Sequence, residues 1–338
     1  MSNNYLIALA ALAAITASAQ SGARTPISVT SADAVAARSA TGRGTHARRS
    51  TSKAARAMGS EAFTVRSSSR SSSSGSSDGG SNSLRGEGDL TFGGGPVVPY
   101  AQSHAIFMHP VNDFCAIPAN CWGDPEGFLK DLGESDFIHI TDQYVNARAD
   151  NRYTVGRSTT VNYNRNPFNF VFLDNDILAV IHAAAAATGQ TGYGHIYHVL
   201  LPPFQDVCAA GIGCASTTIC AYHSSADFFD IGHVIYSVEP YQSSFGCDLP
   251  GPTPNGVVAD SLYNVLSHEL FEIITNPDDG AWTNTSQLSL LGQEIGDVCE
   301  FINSSSSFDV PAFKIGKKLY AVQREHDNAQ HACATAPK

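Results

Sequence analysis

An α+β fold is predicted for this chain of 338 residues: one globular domain over residues 96–338, a mixed β-sheet packed by helices, stapled by disulfides and preceded by a disordered arm. Three observations predict it. Hydrophobic periodicity changes in the order strand, helices, several strands, long helix, a pattern that favours a single mixed sheet with helices against it. All eight cysteines lie after residue 110. Residues 20–95 are rich in Ser, Ala, Gly and Arg, with too few large apolar side chains to offset the entropy of ordering them.

Taken in order, MSNNYLIALAALAAITASAQ has an apolar run from Tyr5 to Ile15 and then the small-x-small pattern Ala17-Ser18-Ala19. It reads as a secretory signal peptide over residues 1–19, so the protein is expected outside the cell. No later stretch reaches the roughly 18 apolar residues of a membrane span. The arm, residues 20–95, has RSSSRSSSSGSSDGGSNS at its centre. Up to residue 89 it carries ten Lys/Arg against five Asp/Glu, whereas the remainder carries ten against 26. Such an acidic domain argues against nucleic-acid binding. The arm reads as a solvated spacer, a propeptide, or a basic tether for anionic cell-surface polymer.

Within the domain, Ala105–Pro110 (AIFMHP) is the first predicted strand. A helix follows from Pro125, with Asp124 as its N-cap. Asp174–Gly189 is a second helix, with a capping Asp, an Ala-rich body and a stopping Gly. Residues 195–203, 217–223 and 233–241 are short β-branched and aromatic runs bounded by Gly, Pro and Cys, and read as strands. Val257–Thr275 is a long helix ended by Pro277. FKIGKKLYAVQ, residues 313–323, reads as a hairpin turning at Gly316-Lys317.

Cys115, Cys121, Cys208, Cys214, Cys220, Cys247, Cys299 and Cys333 are an even set in a chain expected to be exported, and four disulfides are the default reading. Eight cysteines permit 105 pairings; Cys115–Cys121 and Cys299–Cys333 are candidates. No C-x-x-C pair points to cysteine-bound zinc. Sequons at Asn284 and Asn303 are compatible with export.

The chemistry centres on SHELFEIITNPDDGAW, residues 267–282. It opens like the H-E-x-x-H helix of zinc peptidases, with Glu272 at the fifth position. Residues four apart share a helix face, so His268 and Glu272 point the same way, and imidazole nitrogen and carboxylate oxygen are both ordinary Zn2+ ligands. Glu269 stands where the general base of such a site stands. A third ligand must come from elsewhere. GQEIGDVCE, residues 292–300, offers Glu294 as first choice and Asp297 as second choice or supporting partner. His223, in CAYHSS, is open as a ligand, an acid/base group or a structural hydrogen-bonder; in a hydrolase it is the candidate to stabilise a tetrahedral oxyanion. The bland alternative is an acidic helix whose His and Glu hold no metal. No G-x-S-x-G elbow supports a serine hydrolase.

The runs GVVADSLYNVLSHELFEIITNP, HVIYSVEPYQSSFGCDLPGPTPN and KIGKKLYAVQREHDNAQHAC together resemble the phosphate-induced, EXORDIUM-like secreted proteins. The plant members share V-x-D-x-x-x-N-x-x-x-x-x-L-x-x-x-x-T-N-P, matched here at Asp260, Asn264, Leu270 and Thr275-Asn276-Pro277. They typically lack the His-Glu pair. Microbial relatives that read H-E-L-x-E, T-[DN]-P, a Trp and then G-x-E-I-G-D-x-C are closer, with Trp282 and Gly292–Cys299 at those places. The microbial pattern implies a zincin-like metallopeptidase site with Zn2+ as cofactor and a peptide or cell-surface polymer as substrate. The plant branch implies instead a non-catalytic extracellular binding or signalling protein. Neither sets an oligomeric state.

Overall fold

Six strands form the body of the main sheet in this computed structural model, which describes residues 27–30, 33, 88–109, 115, 119–164, 171–244, 247–286, 291–300 and 310–338. They are β1 (Ile27–Thr30), β3 (Ala101–His109), β5 (Thr159–Asn164), β7 (His195–Leu200), β10 (Tyr222–Phe228) and β11 (Gly232–Glu239), in the order β1-β5-β3-β7-β11-β10. A short strand, β4 (Tyr153–Val155), pairs with the start of β3. All pairings are parallel except the antiparallel β10–β11 edge. The sheet is therefore mixed, and its mainly parallel part is covered on both faces, as buried parallel strands require.

On one face lies α2 (Asp174–Thr188), which packs Ile177, Val180 and Ile181 among Val161, Val199 and Tyr236. On the other lie α1 (Pro125–Gly133) and α3 (Val257–Thr275), whose Leu266, Leu270 and Phe271 share a core with Phe128, Ile196 and Ile235. Small sheets decorate this body: β2 (Leu90–Phe92) with β12 (Trp282–Asn284), β6 (Val171–Leu173) with β8 (Asp206–Ala209) and β9 (Gly213–Cys214), β13 (Ala312–Ile315) with β14 (Lys318–Ala321), and β15 (Glu325–Asp327) with β16 (Ala332–Ala334). The α+β class follows directly.

Of the two predicted caps, Asp124 and Asp174, the first holds and the second does not. Asp124 accepts from the Gly127 amide at 2.9 Å to open α1. In α2, Asp174 is already helical, and the acceptor for the Leu173 amide is Asp176, one turn in. The strand predicted at residues 217–223 begins only at Tyr222, because the Thr217 and Thr218 amides turn back onto the Cys214 carbonyl. The predicted hairpin turns at Gly316, whose φ is +58°.

The predicted signal peptide, most of the predicted arm and the Asn303 sequon lie outside the described residues. Two pieces of that arm belong to the fold. Ile27–Thr30 adds β1 to the sheet edge with Val29 buried, a β-branched run within a Ser/Ala-rich context. Leu90–Phe92 pairs with β12, and the Gly93 and Gly95 amides bond to the carbonyls of Ala281 and Gly280. A Cβ on Gly93 would stand 2.6 Å from the Gly280 carbonyl oxygen, so glycine is what lets these backbones meet. The folded domain thus takes in residues 88–95.

Four disulfides are formed: Cys115–Cys121, Cys208–Cys214, Cys220–Cys247 and Cys299–Cys333. Among the described residues no helix is long and apolar enough to cross a membrane. The Asn284 sequon is corrected by burial: its side chain is fully enclosed and donates to the Gly88 carbonyl at 2.9 Å, which leaves no room for a glycan.

Candidate metal centre

Every residue of α3 from Ala259 to Thr275 is buried, so its polar side chains must be matched from within the protein. Four of them, Asp260, Asn264, His268 and Glu272, fall on a stripe at four-residue spacing that the C-cap residue Asn276 continues. The C-terminal segment docks along it. Asp260 accepts from the Ala321 amide at 3.3 Å and Asn264 from the Gln323 amide at 2.7 Å. At the other end, Asn276 Nδ2 donates to Glu294 Oε1 at 2.9 Å, while its Oδ1 accepts from the Ala281 amide at 2.6 Å.

His268 and Glu272 sit mid-stripe, and three separate chain segments close around them. From the sheet, β10 supplies His223. From the loop after β12 come Glu294 and the first residue of α4 (Asp297–Glu300). From the tail comes Glu325 of β15. The loop is pinned by Gln323 Nε2, which donates to the Gly296 carbonyl at 2.9 Å, by the His326 amide to the Ile295 carbonyl at 3.1 Å, and by the Cys299–Cys333 bond.

His268 Nε2 lies 3.2 Å from Glu272 Oε1 and 3.7 Å from Asp297 Oδ1. His223 Nδ1 lies 3.1 Å from Glu269 Oε2 and 3.4 Å from Glu272 Oε2, and its Nε2 lies 3.7 Å from Glu294 Oε2. Two sets of potential ligands result, His268/Glu272/Asp297 and His223/Glu272/Glu294, each with its donor atoms within 4.8 Å of one another. Glu272 belongs to both. Among the described residues neither of its oxygens has a partner in good hydrogen-bond geometry, only an imidazole beside each at ion-pair distance, and His223 Nε2 has none either. Buried polar atoms that converge without bonding one another are what a cation site requires of its ligands, and each is otherwise costly.

The electrostatics point the same way. Burial disfavours a charged imidazole at His268 and His223, yet the surrounding carboxylates outweigh it and raise both well above the ordinary histidine value. Burial, helped by the charges of Glu272 and Glu269 and opposed by His268, pushes Glu325 well above the ordinary carboxylate value. It also raises Glu269, against the pull of His223 and His268. For Glu272 burial is overcome by the two imidazoles, which hold its carboxyl far below the usual range. Cationic groups are thus in demand here, and histidine is what the metal-free chain offers.

All six residues singled out in the sequence, His223, His268, Glu269, Glu272, Glu294 and Asp297, meet in this cluster. Their arrangement differs from the expected one in two respects. Asp297, not Glu294, stands with His268 and Glu272; Glu294 is turned by Asn276 toward β10 and stands with His223. Glu269 bonds to His223 instead of standing clear as a base. Glu325 and Asn276 were missed as members. Asn276 carries a visible signal in its four-residue spacing from Glu272, whereas Glu325 lies on a three-residue strand far along the chain and carries none. A concave surface lined by Leu173, Cys208 and Gly211–Cys214 lies in the β6-β8-β9 sheet and includes none of these residues.

Gly296 lets the loop approach. A Cβ there would stand 2.5 Å from His268 Nδ1 and 2.7 Å from its Cε1, so Gly296→Ala must displace the imidazole. Changing a group that orients a metal ligand typically costs 10–100-fold in metal affinity. Competition against a chromophoric chelator is expected to show at least a tenfold loss of affinity for Zn2+; unchanged affinity would remove Gly296 from the site.

Comparison of the chain with protein-family models, curated proteins and solved structures gives no match in any of the three.

Proposed function

We propose that this protein is a secreted, metal-dependent hydrolase, with a peptide or cell-surface polymer as its substrate class. One observation carries the reading: Glu272, wholly buried and among the described residues paired only with imidazoles, turns one oxygen toward each of two of them. The donor set of imidazole nitrogens and carboxylate oxygens fits Zn2+, and also Mn2+ or Fe2+. His268, Glu272 and Asp297 would hold the ion, which supplies Lewis acidity toward water and a scissile carbonyl. Glu269 is the proton acceptor. Burial raises its basicity, the direction that suits a general base. Export is supported by four disulfides, which persist in oxidising compartments. The motif resemblance to the microbial EXORDIUM-like branch points the same way.

Burial itself favours a second reading. His268, the most exposed of the predicted ligands, retains only 6% of its surface, and Glu272 none. A sealed centre suits a non-catalytic extracellular binding or signalling protein of the EXORDIUM-like type, with a structural ion. The two readings separate at Glu269→Gln. In a hydrolase this substitution lowers peptide cleavage by about 10²–10⁴-fold, with folding by circular dichroism unchanged. If the wild type binds metal yet cleaves no member of a diverse peptide and polysaccharide set, the non-catalytic reading stands.

A further inference from the structure

We propose that the cluster is built for two divalent cations, bridged by Glu272, with His268 and Asp297 completing one position and His223 and Glu294 the other. The inference rests on the metal-binding half of the reading above and is independent of whether the centre hydrolyses anything. It makes His223 a ligand instead of an oxyanion stabiliser.

The first argument is the geometry of Glu272. Its oxygens diverge, Oε1 toward His268 at 3.2 Å and Oε2 toward His223 at 3.4 Å. One ion at His268/Glu272/Asp297 would account for Oε1 and leave Oε2 buried without a hydrogen bond. A carboxylate that presents one oxygen to each of two ligand sets is a bridge, and bridged pairs sit about 3.5–4 Å apart.

The second argument is the orientation of His223. Its Nδ1 lies 3.1 Å from Glu269 Oε2. A carboxylate accepts there, so Nδ1 is the donor to Glu269, and Nε2 is the nitrogen left to bind an ion once the ring is neutral. Nε2 is buried, makes no hydrogen bond, and faces Glu294 Oε2 at 3.7 Å. A carboxylate behind the distal nitrogen is the usual support of a metal-bound histidine. With Oε2 so engaged, the proton acceptor assigned to Glu269 is Oε1. The other side has an equivalent support, since Asp297 Oδ2 accepts from the Glu294 amide at 3.1 Å and leaves Oδ1 directed at His268.

The third argument is charge. Glu269, Glu272, Glu294, Asp297 and Glu325 are all at most 2% exposed. Among the described residues the ion-pair partners of Glu269 and Glu272 are imidazoles. Five carboxylates around one divalent ion leave three negative charges in a sealed interior, or two with a proton held by His223. A second ion bound by the neutral imidazoles reduces that to one. Buried charge is tolerated only when so balanced.

The test is stoichiometry. The full chain is stripped with chelator, titrated with Zn2+ by calorimetry, and assayed for bound metal by mass spectrometry after desalting. Two equivalents are expected in the wild type, one in His223→Ala and one in His268→Ala. Manganese loading should give an exchange-coupled electron paramagnetic resonance spectrum in the wild type and an isolated six-line spectrum in either variant. One equivalent in the wild type, or two in His223→Ala, overturns the bridged pair. Should either variant fail to fold, the wild-type count and its manganese spectrum decide alone. No bound metal at all sinks both this inference and the hydrolase reading, whereas two equivalents without hydrolysis sinks only the latter.

Discussion

Stripping divalent metal from this protein is expected to lower its unfolding free energy by about 4 kcal/mol at neutral pH and to reverse its pH dependence. The magnitude is that of a ligand held at roughly a thousand times its dissociation constant. The sign follows group by group. In the metal-free chain, Glu269 and Glu325 bind protons more tightly folded than unfolded. Their stabilisation is complete below the unfolded carboxylate value of about 4.3 and is lost as pH rises toward the folded values. His223 and His268 behave alike from about pH 6.5 upward, because carboxylates raise both. Glu272 is opposite: its depressed value stabilises above about pH 4.3 and the gain is lost on further acidification. Metal-free protein should therefore be most stable near about pH 5 and lose up to ~1.4 kcal/mol per pH unit for each proton released above it. Metal-loaded protein should do the reverse, since acid protonates the ligands and expels the ion. Denaturant melts at acidic, neutral and alkaline pH, with chelator and with Zn2+, check this. Parallel pH profiles for the two forms would rule out a metal at the cluster.

How far the sequence discloses this site can be traced residue by residue. The long helix was legible end to end, because a Gly-bounded apolar run stopped by Pro277 has one reading. His268, Glu269 and Glu272 were legible as a set because helical spacing fixes which side chains share a face. That the helix is buried all round is also written in its apolar residues, and burial is what makes its Asp260–Asn264–His268–Glu272–Asn276 stripe informative. What could not be read is how separate segments meet on that stripe. Whether Glu294 or Asp297 joins His268 depends on Asn276 gripping one of them, a contact between residues 18 apart. Glu325 is invisible for the same reason. The arm boundary was misplaced because composition averages over a window, and the ISVT strand at Ile27–Thr30 is only four residues long.

Replacing Cys299 and Cys333 together by serine should remove metal binding as well as stability, whereas replacing Cys208 and Cys214 should cost stability alone. The two bridges differ in what they hold. Cys299–Cys333 spans 34 residues and links the loop bearing Glu294 and Asp297 to the strand after Glu325. By loop-closure entropy its loss costs on the order of 3–4 kcal/mol. Beyond that, the loop would depend on hydrogen bonds, among them those from Gln323, His326, Asn276 and Asn284, to keep Gly296 against His268. Those bonds must also restrain carboxylates that repel one another when no ion is present, so the loop should open and the affinity fall by more than tenfold. Cys208–Cys214 closes only six residues within the β6-β8-β9 sheet and touches none of the cluster. Its loss should cost about 2 kcal/mol and leave Zn2+ stoichiometry unchanged. Calorimetric titration of the two double variants beside their denaturant melts gives the comparison. Equal loss of metal from both would mean that global stability, not this one covalent tie, holds the ligands in place. Loss confined to Cys299→Ser/Cys333→Ser would show that the centre is assembled by docking the tail onto the α3 stripe, and that oxidation in the compartment where the protein folds precedes metal capture.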